Sequence, residues 1–361
     1  MIDYILNGQA SGDVASRLMA HDFDPRAMRT YIGEDGRSYV DHVQRGEFTT
    51  NEAGIRVPVV NSLVTNAPAT LRKDEWRILD EAILKAARER LVAVADIRAA
   101  GLTYTIAQGM GKTVLQTEKM TETTDAQVSM DGVAGSEADR PNYDLENLPL
   151  PIIHKDFFLP LRQLMQSRER GESIDTTMAE QAGRRVAETA EKMLLGTFGS
   201  YSFGGGTLYG YTNHPNRNTE TLTDPTGTWT GADLLADILS MKQKSMNDNY
   251  NGPWALYFSS NWDEYLDDDF SAAKGDITVR ERIAKIRGIQ SIETVDYLNN
   301  YDVVLVQRTS TVARLVIGMD VTSLQWETHG GLMQHMKTMA IMVPQIRADI
   351  NGNIGLVHGS V

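Results

Sequence analysis

The chain has 361 residues, 41% hydrophobic and 23% charged, which is the composition of an ordinary globular protein long enough for two or three lobes. It contains no cysteine, so disulfides, thiolate nucleophiles and cysteine-ligated metals are excluded. Its net charge of −13, without any Lys/Arg run, is the opposite of the basic face of a specific DNA binder, although an acidic wall can still enclose DNA without gripping it.

No apolar stretch approaches the roughly 18 residues that cross a bilayer. Met1-Ile2-Asp3-Tyr4 does not begin a basic-then-apolar signal, so cytoplasmic synthesis is expected. Residues 1–70 carry Gly33, Gly36, Gly46, Gly54, Pro58 and Pro68 and no sustained helical period, which reads as an irregular extended arm without a core of its own. Over 71–100, Trp76, Leu79, Ile83, Ala87, Leu91, Val94 and Ile97 recur every three or four residues. That spacing predicts one helix ended by Gly101, with Asp74, Glu75, Asp80, Glu81, Lys85, Arg88 and Glu89 on its other face.

Residues 102–106 and 113–117 alternate like strands around a Gly109-Met110-Gly111 turn. The acidic stretch 121–144 completes a long hairpin that buries little against its own chain. Leu148-Pro149-Leu150-Pro151 returns the chain to a core. A second helix is expected over about 175–195, with Thr177 and Glu180 as a capping box and Gly196 as its stop. Its apolar stripe is Met178, Ala182, Val186, Ala190, Met193 and Leu194. Strands follow at 254–258, 303–306 and 315–317, and short helices at 262–266 and 279–286. Met333, Met336, Met339 and Met342, three apart, would suit a helix, but Pro344 resists one. The closing segment therefore reads as strand, a turn at Asn351-Gly352-Asn353, and a return strand over 354–357.

Tested motifs give little chemistry. Gly111-Lys112-Thr113 imitates a phosphate-binding loop, but position 106 is Ile where that loop needs Gly, and strand follows where it needs a helix. Gly204-Gly205-Gly206 lacks dinucleotide-loop spacing and reads as a connection between lobes. The histidines are dispersed, with His329 and His335 six apart and no HExxH. The Asn247–Gly252 stretch lacks the first Asp of a calcium loop and puts Phe258 where its Glu belongs. Asp267-Asp268-Asp269 reads as solvated charge. No catalytic, cofactor-binding or metal-ligating residue is assigned, and no cofactor is expected.

The order arm, helix, long hairpin, long helix, α/β lobe and closing strands resembles the Hong Kong 97-type capsid fold of tailed phages and encapsulins, closest in motif order to the encapsulin-like branch. Asp74-Glu75-Trp76 with Asp80-Glu81, Ala87-Arg88 and Leu91-Val92 is similar to the encapsulin helix before the extended loop, and Leu148-Pro149-Leu150 to the return from it. Gly252-Pro253-Trp254 with Trp262 and Leu266 looks like the strand and helix of the apical lobe, and Val316-Ile317-Gly318-Met319-Asp320 like a late strand-turn. The resemblance spans residues 71–350.

It implies an α+β fold with an N-terminal arm at 1–70, a helix at 71–100 and an extended loop at 101–147. A peripheral domain would comprise 148–198 and 326–361, with the helix over about 175–195 as its spine, and an axial domain 199–325. It implies a structural subunit and not an enzyme: a major capsid protein whose copies form pentamers and hexamers of an icosahedral shell around double-stranded DNA, without sequence-specific binding. Portal, scaffolding and decoration proteins are the partners this suggests. There would be no membrane, and the location would be the virion capsid after assembly in the bacterial host cytoplasm. The long arm and loop favour a phage shell over an encapsulin-type nanocompartment holding a protein cargo; a cytosolic α/β enzyme is the third reading. Some capsids of this fold crosslink a loop Lys to a neighbour's Asn, which would concern Lys112 or Lys119 and Asn351 or Asn353. Arg168, Arg170 and Glu172 complete the expected inter-subunit contacts.

Overall fold

The computed structural model describes residues 30–50, 56–64, 71–120, 143–170, 174–270 and 277–361, with the isolated positions 128 and 130. Residues 1–29 of the expected arm, most of the hairpin tip at 121–142, and Glu172 lie outside these.

The described part of the arm is regular. Strands β1 (Thr30–Ile32), β2 (Ser38–Thr50) and β3 (Arg56–Val64) form an antiparallel sheet in that order. Two of the breakers that suggested irregularity are accommodated, while Gly54 and Pro68 lie outside the described residues. Pro58 lies on an edge strand, where a missing N–H need not remove a ladder bond, and Gly46 lies in the register shift between Val43 and Phe48. The arm is anchored on the body: Tyr31 is buried with Leu71, Trp76, Leu79 and Ile83, and the Trp76 indole N–H donates to the Thr30 carbonyl at 3.2 Å.

The expected single helix is two, α1 (Lys73–Arg88) and α2 (Ala93–Ala99). In a continuous helix the N–H groups of Ala93 and Val94 would bond residues four back. Instead they donate to the Glu191 carboxylate, at 2.6 and 3.1 Å, so a tertiary acceptor replaces the local one.

Strand β4 (Thr103–Thr105) does not pair with β5 (Val114–Met120), which corrects the hairpin expected around Gly109-Met110-Gly111. That tripeptide is a 3-10 turn pressed so closely on Gly318 that Gly109 has no room for a Cβ. The hairpin partner of β5 is β6 (Tyr143–Pro149), in register from Val114 opposite Pro149 to Met120 opposite Tyr143.

After β7 (Ile153–Pro160) and α3 (Leu161–Arg170) comes the long helix α4 (Thr177–Leu195). Gly196 ends it in a left-handed conformation (φ 93°), as expected. The expected capping box does not form: Thr176 is the N-cap, Asp175 accepts the Thr177 N–H at 3.0 Å, and Glu180 accepts the Thr176 hydroxyl at 2.7 Å. Met178 is exposed, and Ala179 takes its place in the buried stripe. Small residues let α1 approach: a Cβ on Gly183 would stand 2.7 Å from the Ile83 carbonyl oxygen.

The small strands β8 (Tyr201–Phe203) and β9 (Gly206–Leu208) make a hairpin, followed by β10 (Asn218–Thr221) and α5 (Gly231–Asn247). Strand β11 (Trp254–Ser259), helices α6 (Asp263–Asp267) and α7 (Val279–Ala284), and strands β12 (Ile289–Val295) and β13 (Val303–Gln307) complete this α/β region. Two long strands follow, β14 (Ala313–Thr328) and β15 (Met333–Ile346), then β16 (Leu356–Ser360). Strand β15 is continuous through Pro344, so its methionines alternate on a strand and do not line a helix.

The sheets are ordered β4-β14-β15-β7 and β10-β16-β13-β11-β12. Strand β16 does not return on β15. It runs antiparallel to β13 and parallel to β10, so the turn at 351–353 carries the chain from one sheet into the other. The expected divisions at 325/326 and the grouping of 326–361 therefore do not follow the sheets. Strand β14, spanning 313–328, belongs with β15, and 356–360 belong with the strands of 218–307.

Two buried titratable groups flank this architecture. Burial pushes the Glu191 carboxyl up to about 7 against the opposing N–H groups, while burial, with Lys119 and Arg217 nearby, pushes the His214 imidazole down to about 4. Relative to an ordinary 4.5, Glu191 stays neutral in the fold, so its contribution to stability is lost as pH rises from 4.5 through about 7. His214 ordinarily protonates at 6.5, so its contribution is lost as pH falls from 6.5 towards about 4. The two slopes oppose each other.

Glu191→Gln should therefore melt at a temperature that climbs more steeply with pH across this window than the parent's; parallel melting curves would remove Glu191 as a titrating group. Gly183→Val should separate α1 from α4 and lower stability by about 1–3 kcal/mol in denaturant titrations.

Candidate assembly surfaces

The β5–β6 hairpin leaves the body at Leu148 and Leu150, both buried. Farther out, Tyr143 and Leu145 are 63% and 61% exposed, although both are large and apolar. Lys119 bridges to Glu146 across the strands at 3.0 Å. The root is wedged by the β8–β9 hairpin. Its turn uses Gly204 (φ 61°) and Gly205 (φ 76°), the Asn147 amide donates to the Gly204 carbonyl at 3.1 Å, and Gly206 lies against the Asn147 backbone where a Cβ would clash. The triple glycine is thus a fitted support for the hairpin and not the connection expected from sequence.

The other candidate residues are scattered. Lys112 is exposed between the 3-10 turn and β5, in extended backbone, so no helix N-terminus follows it to hold a phosphate. Arg168 grips Glu75 within its own chain, Nε to Oε1 at 2.7 Å and Nη2 to Oε2 at 2.6 Å, fastening α3 to α1. Arg170 and Asn351 are exposed. Asn353 is tied to Asp349 by its backbone N–H at 2.7 Å and its side-chain amide at 2.9 Å. Among the described residues no hydrogen bond joins Lys112 or Lys119 to Asn351 or Asn353.

Sequence reasoning missed a row of rings across the outer sheet. Trp326 on β14 faces His335 on β15, which faces Phe158 on β7. Trp326 and His335 are stacked 5.4 Å apart, with Trp326 and Phe158 exposed. Strand alternation within each segment was the available signal, but only the pairing aligns the three positions. The Thr328 hydroxyl lies 2.8 Å from His335 Nε2 and 3.0 Å from His329 Nδ1, so these histidines serve local hydrogen bonding.

One open groove, of about 1480 Å³, runs between β1–β2 and α1. In it the Asp41 carboxylate accepts from the Tyr31 and Ser62 hydroxyls, each at 2.7 Å, and pairs with Lys73 at 3.0 Å. Burial works against ionising Asp41, but the two hydroxyls and Lys73 outweigh it and hold its carboxyl below the ordinary range. Burial likewise opposes the charge on Lys73, but Asp41 outweighs it and holds the ammonium above its ordinary range. A lysine held protonated cannot take a proton from Ser62, so the cluster is a structural lock between the arm sheet and α1.

Three solved structures are similar to this chain in fold. A virus-like particle from Pyrococcus furiosus is 15% identical with a TM-score of 0.56, covering 80% of this chain and 99% of that one. The capsid of Myoviridae phage XM1 is 7% identical with a TM-score of 0.55, covering 68% and 85%. A chain of Mycobacterium phage Cain is 11% identical with a TM-score of 0.52, covering 73% and 89%. At such identities the likeness is one of fold, and the fold is the Hong Kong 97-type capsid fold. Residues 66–359 match the family of unknown function DUF6260, and the chain belongs to that family.

Proposed function

We propose that this chain is the major capsid subunit of a tailed double-stranded DNA phage. The observation that carries the reading is the β5–β6 hairpin: it is wedged rigidly at its root, yet holds Tyr143 and Leu145 in solvent with no cover from its own described residues. Apolar surface held out in this way is buried by another copy when subunits repeat in a shell. The fold, shared with a phage capsid and a virus-like particle, supports the same reading. Residues 30–64 act as an arm tied to α1, α4 as the spine of a peripheral lobe, and the five-stranded sheet with α5 to α7 as an axial lobe around fivefold and sixfold centres. The shell is icosahedral and encloses DNA behind an acidic wall, with portal, scaffolding and decoration proteins as further partners. The exposure of Lys112, Arg170 and Asn351 supports contacts with neighbours at those residues, while Lys119 is half-buried beside Glu146. A shell around a protein cargo is the second reading, favoured by the 99% coverage of the virus-like-particle chain.

Electron microscopy of particles containing this chain, with nucleic acid assayed, tests the proposal. DNA-filled closed shells with a tail at one vertex are expected; protein-filled, tailless shells would favour the second reading, and discrete small species under all conditions would defeat both. Replacing residues 118–146 by a short Gly/Ser turn should preserve the circular dichroism melt of the unassembled chain while abolishing closed particles.

A further inference from the structure

Arg314 and Arg347 are neighbouring cations at the seam of β14 and β15. Arg314 stands opposite Gln345 in the ladder, and the Arg347 backbone N–H donates to the Val312 carbonyl at 2.8 Å. The Arg314 guanidinium lies over the Tyr104 ring, 4.4 Å from its centroid, and its Nε donates to Gln345 Oε1 at 2.6 Å. Tyr104 is itself exposed, so the pair opens to solvent. The Arg347 Nε is buried and has no hydrogen-bond partner among the described residues. Burial, followed by the charge of Arg347, holds the Arg314 guanidinium below its ordinary range. Among the described residues no carboxylate forms an ion pair with either guanidinium, in a chain with 48 acidic side chains to 35 Lys and Arg. Two repelling, partly desolvated cations with an unused N–H call for an anion.

The chain carries a matching group. From Glu118 to Glu146 there are eight carboxylates against only Lys119 and Arg140. This segment's own root is beside the pair, since the Gln345 amide donates to the Thr117 hydroxyl at 3.3 Å. From that root β5 and β6 run outward, and the Glu146 carboxylate is taken by Lys119. The described acids of the same hairpin therefore do not turn back to the arginines. We infer that Arg314 and Arg347, with Gln345 and Tyr104 beside them, form a receptor for a carboxylate of the acidic 118–146 segment of a second copy of this chain. The inference rests on the shell reading and specifies one of its contacts.

Self-association of the full-length chain by sedimentation, over a range of NaCl concentrations, tests it. R314Q/R347Q should weaken association roughly tenfold and flatten its salt dependence, and converting the segment's carboxylates to amides should do the same. A chain carrying R314E/R347E should regain association when mixed with a chain whose 118–146 carboxylates are replaced by lysine. If R314Q/R347Q melts early, the amide variant, which leaves both arginines in place, supplies the readout.

Association unchanged in both variants would overturn this contact while leaving the shell reading intact. A wild-type chain that never self-associates would overturn both. Equal, non-additive losses of stability in the unassembled variants would place the carboxylate on the same chain and overturn the proposal. So would binding of a short DNA duplex that depends on the two arginines while association does not.

Discussion

The five-stranded sheet is the constraint on which most of the chain depends, because two of the three hydrophobic cores among the described residues are built on its two faces. In β11, Trp254, Leu256 and Phe258 enter one core, and Ala255 and Tyr257 the other. In β13, Val303 and Leu305 divide from Val304 and Val306 in the same way, and in β16 Val357 divides from Leu356. A strand with period-two side chains and both faces covered must be apolar where it is covered, and the stretches 254–258, 303–306 and 356–357 are. One side is closed by α5, α6 and α7; the other meets α4, α2 and the β14–β15 sheet. Moving β16 out of the sheet would open both cores together.

Polar contacts fix how the helices sit on this wall. Asp96 on α2 accepts from the Tyr257 hydroxyl at 2.8 Å and from Ser291 at 3.2 Å, and pairs with Arg308 at 3.0 Å, joining α2 to β11, β12 and the end of β13. Glu191 on α4 holds the start of the same helix by two backbone N–H groups. A seven-residue helix has little stability alone. Pinned at both ends of its first turn and to the sheet, it can fix the direction in which the chain leaves for β4 and the hairpin. Rigidity at that point would matter to the proposed shell subunit, because a small angular error at the root is magnified along an extended hairpin.

The same logic separates the body from its projections. Within the body, charged groups are paired locally: Arg168 with Glu75, and Asp41 with Tyr31, Ser62 and Lys73. Among the groups left open on the described residues are the outer hairpin with Tyr143 and Leu145, the Phe158–His335–Trp326 row, and the Arg314–Arg347 pair. Open groups of three chemical kinds on one acidic chain suit the proposed association with further copies.

Much of the fold was legible in the amino-acid sequence because burial imposes a period. The 3.6-residue stripe of Trp76, Leu79, Ile83 and Ala87 determined α1, the stripe through Ala182, Val186 and Ala190 determined α4, and the apolar runs at 254–258 and 303–306 determined central strands. The order of these elements sufficed for the capsid fold, and the acidic stretch 121–144, poor in large apolar residues, marked the hairpin as a segment that buries little against its own chain. Pairing and contact across the chain were decided only by the tertiary structure. Alternation at 102–106 says strand but not that its neighbour is β14, 210 residues on, and the turn at 351–353 says reversal but not into which sheet. The break after Arg88 depends on Glu191, about a hundred residues away, and the arginine pair on the register of β14 with β15. Local sequence fixes side-chain periodicity; only the closed fold brings together groups that are distant along the chain.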